Sequence, residues 1–303
     1  MKTNNVDFHA DDYGYSLNTS KDILDCLKEG KLDSISIICN TSAFEESMDL
    51  LYKEIPNLPY LPLISVHLNL VEGYNLSATT LLSKDGINNS SWGDLFIASL
   101  GGMKKDLKEQ VKKEIKAQID KTYEVIDNCI EIAKKNNIEC KQKGLRIDSH
   151  VHTHPIPVIF DALIEVIKEE KYNVEYIRNP KEPILPFIKN VSLWKTYGIV
   201  NFAKNIVLNI FSIKVDKYCK KQGIELMYMW GLLMSGHMDY DRIQKLYNGM
   251  VNYSNKYHRK VELLFHPGIG LKDEYSNEKN IEYFNDFNSS ENRKVEKDAV
   301  IRI

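Results

Sequence analysis

One pattern limits what this chain can fold into. Short apolar runs end on acidic, imidazole or guanidinium side chains, and segments of helical period separate them. Val6 to Ala10 runs into Asp11-Asp12-Tyr13-Gly14, and Ile64 to Leu70 carries His67. Gly144 to Ile147 leads to Asp148 and His150, and Val174 to Ile177 reaches Arg178. Val261 to Phe265 stops at His266-Pro267-Gly268, while Ser34 to Cys39 and Ile224 to Tyr228 complete a set of seven. Strands alternating with helices imply βαβ units and a parallel sheet. The expectation is an α/β fold, an irregular seven-stranded parallel (β/α) barrel of TIM-like form, with residues 1–303 as one domain. In such barrels, active sites are built on the rim past the strand C-termini.

The segments between follow helical rules in most places. Ser16 is a candidate N-cap for a helix to Leu27, and Val111 to Ala133 repeats apolar residues at three, four and seven. Two regions resist a regular reading. Asn75 to Gly102 is polar around Trp92, which suits a lid or substrate wall. Ile184 to Lys221 reads as two helices with an irregular start containing Trp194. The stretch from Asn277 to Ile303 is polar and includes one helix.

Composition narrows the partners. A formal net charge of −2 gives no pull on a polyanion, so no nucleic acid is expected. Five scattered cysteines without a C-x-x-C pair read as free thiols in a reducing compartment. Met1 to Asn5 lacks the pattern of a signal peptide, so none is expected, and Ile199 to Val215 is too interrupted by Asn and Lys to be expected to span a membrane. The expected location is the cytoplasm, with no membrane partner and with a homodimer left open.

The densest chemistry lies in Asp148-Ser149-His150-Val151-His152-Thr153-His154-Pro155. If the strand persisted, Asp148, His150, His152 and His154 would share one side. The neighbouring aspartates 11 and 12 can act together only past a strand's end, where Gly14 allows the turn. A lone histidine is more often structural than a ligand. An aspartate pair with histidines from two later strands, however, supplies a two-histidine, one-carboxylate site for a divalent ion. Such sites serve hydrolysis or oxygen chemistry. The second carboxylate favours hydrolysis, where it can act as a general base.

Four ordered motifs carry a family resemblance: Ala10-Asp11-Asp12-Tyr13-Gly14, Ser65 to Gly73, Asp148 to His154, and Glu262 to Gly268. With Trp230-Gly231 and Ser235-Gly236-His237, they resemble the YdjC/ChbG (ChbG/HpnK) family of carbohydrate deacetylases. The resemblance implies a barrel that removes acetyl groups from N-acetylated sugars with one divalent ion, magnesium or zinc. It implies Asp12, His67 and His150 as metal ligands, Asp11 as general base, and His266 as acid or oxyanion stabiliser. His152 and His154 are candidates for orienting those ligands. Tyr13 (phenylalanine is usual there) and Trp230 are candidate sugar contacts, as are Trp92 and Trp194. Arg178 is a candidate for the substrate site or for holding Asp11, and Asp148 for orienting a histidine. His9 stands where asparagine is common. Two rivals stay open: another metal hydrolase of phosphoesterase or amidohydrolase type, and a non-catalytic sugar-binding protein.

Overall fold

The structure is a computed structural model that describes residues 5–270 and 290–303. In chain order its strands are β1 (Val6–Tyr13), β2 (Ser34–Ile37), β3 (Leu63–Leu68), β4 (Ser83–Lys84), β5 (Ile87–Asn88), β6 (Leu145–Ser149), β7 (Val174–Ile177), β8 (Met227–Trp230) and β9 (Lys260–Phe265). The helices are α1 (Leu17–Lys28), α2 (Phe44–Glu54), α3 (Trp92–Leu100), α4 (Lys104–Lys135), α5 (Pro157–Glu169), α6 (Leu185–Lys189), α7 (Ile199–Gln222), α8 (Tyr240–Lys256) and α9 (Asn292–Arg302). The part of the expected C-terminal helix before residue 290 lies outside the described residues.

Seven strands form one parallel sheet in the order β7-β6-β3-β2-β1-β9-β8. The sheet curls until its edges meet in a single parallel bridge, Tyr176 to Glu225. This is the expected irregular α/β barrel. Alternation sorts each strand into two faces. One set packs outward on the helices: Phe8 and Ala10, Ile35 and Ile37, Ile64, Val66 and Leu68, Ile147, Leu263 and Phe265, all buried. The other set fills the interior with polar groups. Arg146 of β6 reaches Asp7 of β1 at 3.1 Å, although β2 and β3 lie between those strands. Buried charge is tolerated only when paired, and here the pairs run across the barrel.

Three segments depart from the sequence reading. Asn75 to Gly102 is not irregular throughout: β4 and β5 form a hairpin, and α3 follows with a capping box between Ser91 and Asp94. The hairpin turn is Asp85-Gly86, both with positive φ (53° and 79°), a type I′ signal present in the sequence. Strand β8 begins at Met227, not Ile224, which draws Trp230 into the sheet. The histidine run is not extended either: β6 ends at Ser149, and His150–His152 form a 3-10 turn with Val151 (φ 45°) and His152 (φ 53°) left-handed. A β-branched residue rarely adopts that conformation, so the turn is held by its surroundings.

Candidate active site

The aspartate pair sits inside β1, where alternation should send the two side chains to opposite faces. A register shift between Ala10 and Tyr13, with Asp12 at φ 73°, cancels the alternation. A bulge of this kind re-aims side chains beside a site. Asp11 and Asp12 both line a cavity of about 510 Å3, together with His67, His150, His152 and His266.

Asp12, His67 and His150 converge, with one ligand atom from each lying within 4.8 Å of the others. His67 sits on β3 directly across from Asp148 on β6. Its Nδ1 lies 2.6 Å from the Asp148 carboxylate, which fixes the proton on Nδ1 and leaves Nε2 as an acceptor. That buried Nε2 has no hydrogen-bond partner among the described residues and lies 3.6 Å from Asp12 Oδ1. His150 lies between two carboxylates, Asp12 at 2.9 Å and Glu72 at 2.7 Å. Burial opposes its charged form, but Asp12 and Glu72 outweigh burial and raise its pKa to about 10. The residues therefore fit a divalent ion: one carboxylate, two imidazoles, a buried acceptor nitrogen and surplus negative charge around them.

Asp11 is held differently. Both its oxygens accept from Arg178, Nη1 and Nη2 each at 2.8 Å, and His9 Nε2 lies 3.0 Å from Oδ1. Burial opposes ionisation, yet Arg178 and His67 keep the carboxyl well below its usual range. Asp12 is likewise lowered, against burial, by His150 and by Arg293 of α9, whose Nη2 donates to Oδ2 at 3.0 Å. Asp148 falls to about 2 for the same kind of reason: burial is outweighed by Arg178 and His67. His266 lies 3.9 Å from Asp11 Oδ2, and its backbone N–H donates to Glu296 of α9 at 2.6 Å.

The three expected substrate contacts are placed elsewhere. Tyr13 is fully buried and its hydroxyl donates to the Ser47 carbonyl at 2.8 Å. Trp230 is fully buried against Tyr247, because β8 extends through it. Arg178 is enclosed by Asp11, Asp148 and Glu262. Among the described residues none of the three lines the cavity. Trp92 does line it, whereas Trp194 does not. The histidine run divides: His152 lines the cavity, while His154 is fully buried, with Nδ1 2.6 Å from Ser149 Oγ and Nε2 2.8 Å from the Arg178 carbonyl. Sequence reasoning missed Glu72, Glu262, Arg293 and Glu296. Glu72 and Glu262 stand inside quoted motifs. Arg293 and Glu296 lie in a polar C-terminal stretch that gave no signal.

Known proteins resemble this chain in sequence and in fold. The family model described as YdjC-like protein matches residues 5–127 and 142–301. A protein of Danio rerio named carbohydrate deacetylase is 26% identical over 182 residues, covering 59% of this chain and 50% of that one. Its namesake from Clostridium beijerinckii is 23% identical over 247 residues, covering 78% and 88%. Against the first of these the chain spans about half of the relative's length. A candidate cellobiose-phosphate cleavage protein from Enterococcus faecalis V583 shares the fold, with a TM-score of 0.58 at 17% identity over 98% of this chain and 90% of that one. With the family model matched along nearly its whole length, this chain belongs to the YdjC-like family.

Proposed function

We propose that the protein is a metal-dependent hydrolase that removes acetyl groups from N-acetylated sugars of the chitooligosaccharide or N-acetylglucosamine type. The observation that carries this reading is the Asp12–His67–His150 cluster with a second carboxylate, Asp11, beside it in one cavity. Relatives named carbohydrate deacetylase support it.

Asp12, His67 Nε2 and His150 would hold one magnesium or zinc ion, with Asp148 keeping the His67 tautomer correct. When bound, such an ion polarises an acetamide carbonyl and raises the acidity of water. Asp11, ionised and fixed by the Arg178 fork, accepts the proton of the attacking water. His266, on the Asp11 side of the cavity, stabilises the developing oxyanion and protonates the departing amine. Acetate and a free amino sugar leave. Trp92 offers the aromatic wall on which a sugar ring can stack. Free thiols at Cys26, Cys39, Cys129, Cys140 and Cys219 support a reducing, cytoplasmic setting.

The test is acetate release from N-acetylated mono- and oligosaccharides, free and phosphorylated, with and without chelator. Chelator-sensitive acetate release is expected. Phosphate release without acetate would favour a phosphoesterase, and sugar binding without either product would favour a binding protein.

A further inference from the structure

Helix α7 has its polarity reversed. Its buried face carries Asn205, Ser212 and Asp216 beside Leu208, Val215 and Cys219. Those polar groups are satisfied inside the protein. Asn205 donates to Glu182 at 3.0 Å, Ser212 to the Leu208 carbonyl at 2.7 Å, and Asp216 accepts from Arg259 at 2.8 Å. The outer face shows Ile199, Phe202, Ile206, Ile210 and Ile213, spaced three or four apart as one stripe, with Ile199 89% exposed. The preceding segment adds Leu185, Ile188, Val191 and Trp194, Val191 being 65% and Trp194 53% exposed. Helix α3 is joined to this face by Trp92 stacked on Phe211 and Phe96 tilted against it, and it exposes Ile97 and Leu100. Soluble monomers rarely show so much contiguous apolar surface without a partner.

Charge identifies the partner. From Pro183 to Val215 the sequence holds four lysines (189, 195, 204 and 214) and no aspartate or glutamate. We propose that this face docks on an anionic lipid surface, with α7 lying in the interface plane. An apolar stripe bordered by lysines, with an exposed tryptophan, is the composition that binds headgroup and acyl boundary together. Lys214 is paired with Asp161 at 2.6 Å, and a second copy of the chain would set Lys189 and Lys195 near their own images across a two-fold axis, with no acid from Pro183 to Val215 to meet them. The proposal replaces the expectation of no membrane partner without requiring a span: no described helix is long and apolar enough to cross a membrane. Val200 and Val207 of α7 and Trp92 of α3 also line the cavity. Docking therefore holds the cavity mouth at the lipid headgroups.

The test is co-sedimentation of the full chain with vesicles of phosphatidylcholine, with and without phosphatidylglycerol, at low and high salt. Binding that requires the anionic lipid and weakens with salt is expected. Ile206→Glu and Ile210→Glu alter exposed positions that do not line the cavity. Each should weaken vesicle binding by about tenfold or more, with thermal stability unchanged. Lys189→Gln/Lys195→Gln should weaken it less and reduce its salt dependence. Binding that the isoleucine variants leave intact would overturn the proposal. So would no binding to either vesicle. A concentration-dependent dimer dispersed by the same variants, without vesicle binding, would assign the face to a second copy instead.

Discussion

Asp148→Asn separates metal tuning from scaffolding. Asp148 is fully buried and sits 2.6 Å from His67 Nδ1, with Ser36 and Arg178 on its other oxygen. The variant keeps an acceptor for Nδ1 but removes the charge. A hydrogen bond to a charged group contributes about 1.5–3 kcal/mol and a neutral one about 0.5–1.5 kcal/mol, so roughly 1–1.5 kcal/mol of support for His67 is lost. That is about tenfold in metal affinity, and loss of the carboxylate's field extends the range toward the ~100-fold seen for such orienting partners. Zinc and magnesium affinities would be measured by competition with a chromophoric chelator, with circular dichroism as the folding control. The expected result is tenfold to hundredfold weaker binding in a folded variant. Affinity within about twofold of wild type, with only melting temperature reduced, would refute the reasoning. Asp148 would then serve Arg178 rather than His67.

Three further outcomes follow from the same geometry. Asp11→Asn should lower turnover by about 10²–10⁴-fold while the metal stays bound, and near-normal acetate release would remove the base assignment. Tyr13→Phe deletes only the bond to Ser47, so it should reduce stability by about 1 kcal/mol and leave KM unchanged; a raised KM would restore a substrate role. His154 is one pH-sensitive element: burial lowers its pKa from 6.5 to about 4, against the Arg178 carbonyl and Asp148 and with the Arg178 and His67 charges adding to burial. Its folded form binds the proton less well than the unfolded chain, so stability is complete above about pH 6.5 and falls as pH drops toward 4. The loss between pH 7 and pH 5 should be about 2 kcal/mol by denaturant unfolding, and His154→Gln should remove that increment. An identical slope in the variant would show that the acid sensitivity arises elsewhere.

The barrel was legible because most strands announce their C-terminal ends with a polar side chain. The cluster of Asp12, His67 and His150 was legible because the three stand at or near the ends of β1, β3 and β6. The backbone that unites them was not. A period-two reading cannot place Asp11 and Asp12 in one cavity without the bulge, nor foresee that Val151 and His152 turn left-handed and divide the histidine run. Tyr13 and Trp230 were misplaced for a related reason: one residue of register decides whether an aromatic faces the cavity or the packing layer. Arg293 and Glu296 come from a helix far along the chain, and only the folded structure brings them to Asp12 and His266.

The two aspartates are neighbours in sequence, yet their partners give them different work. Arg293 and His150 occupy the two oxygens of Asp12, a carboxylate set among the cluster's ligands. Arg178 donates to both oxygens of Asp11, which holds that carboxylate ionised, and does not itself line the cavity. Both carboxyls lie below their usual range, so neither can donate a proton at neutral pH. In the proposed reaction the acid is assigned to a histidine. His154 spends both ring nitrogens on Ser149 and Arg178, while His67 and His150 belong to the cluster. His152 is held neutral by burial and by Arg178. His266 remains, with its side chain 17% exposed and its Nε2 3.9 Å from Asp11. The guanidinium that fixes Asp11 also weakens it as a base. A weak base suffices where the water it deprotonates is already acidified by a divalent ion. In the proposed reaction, Arg178 and a bound ion would be two halves of one arrangement: a carboxylate this deeply held would be a poor base without the ion, and the ion would make a stronger base unnecessary.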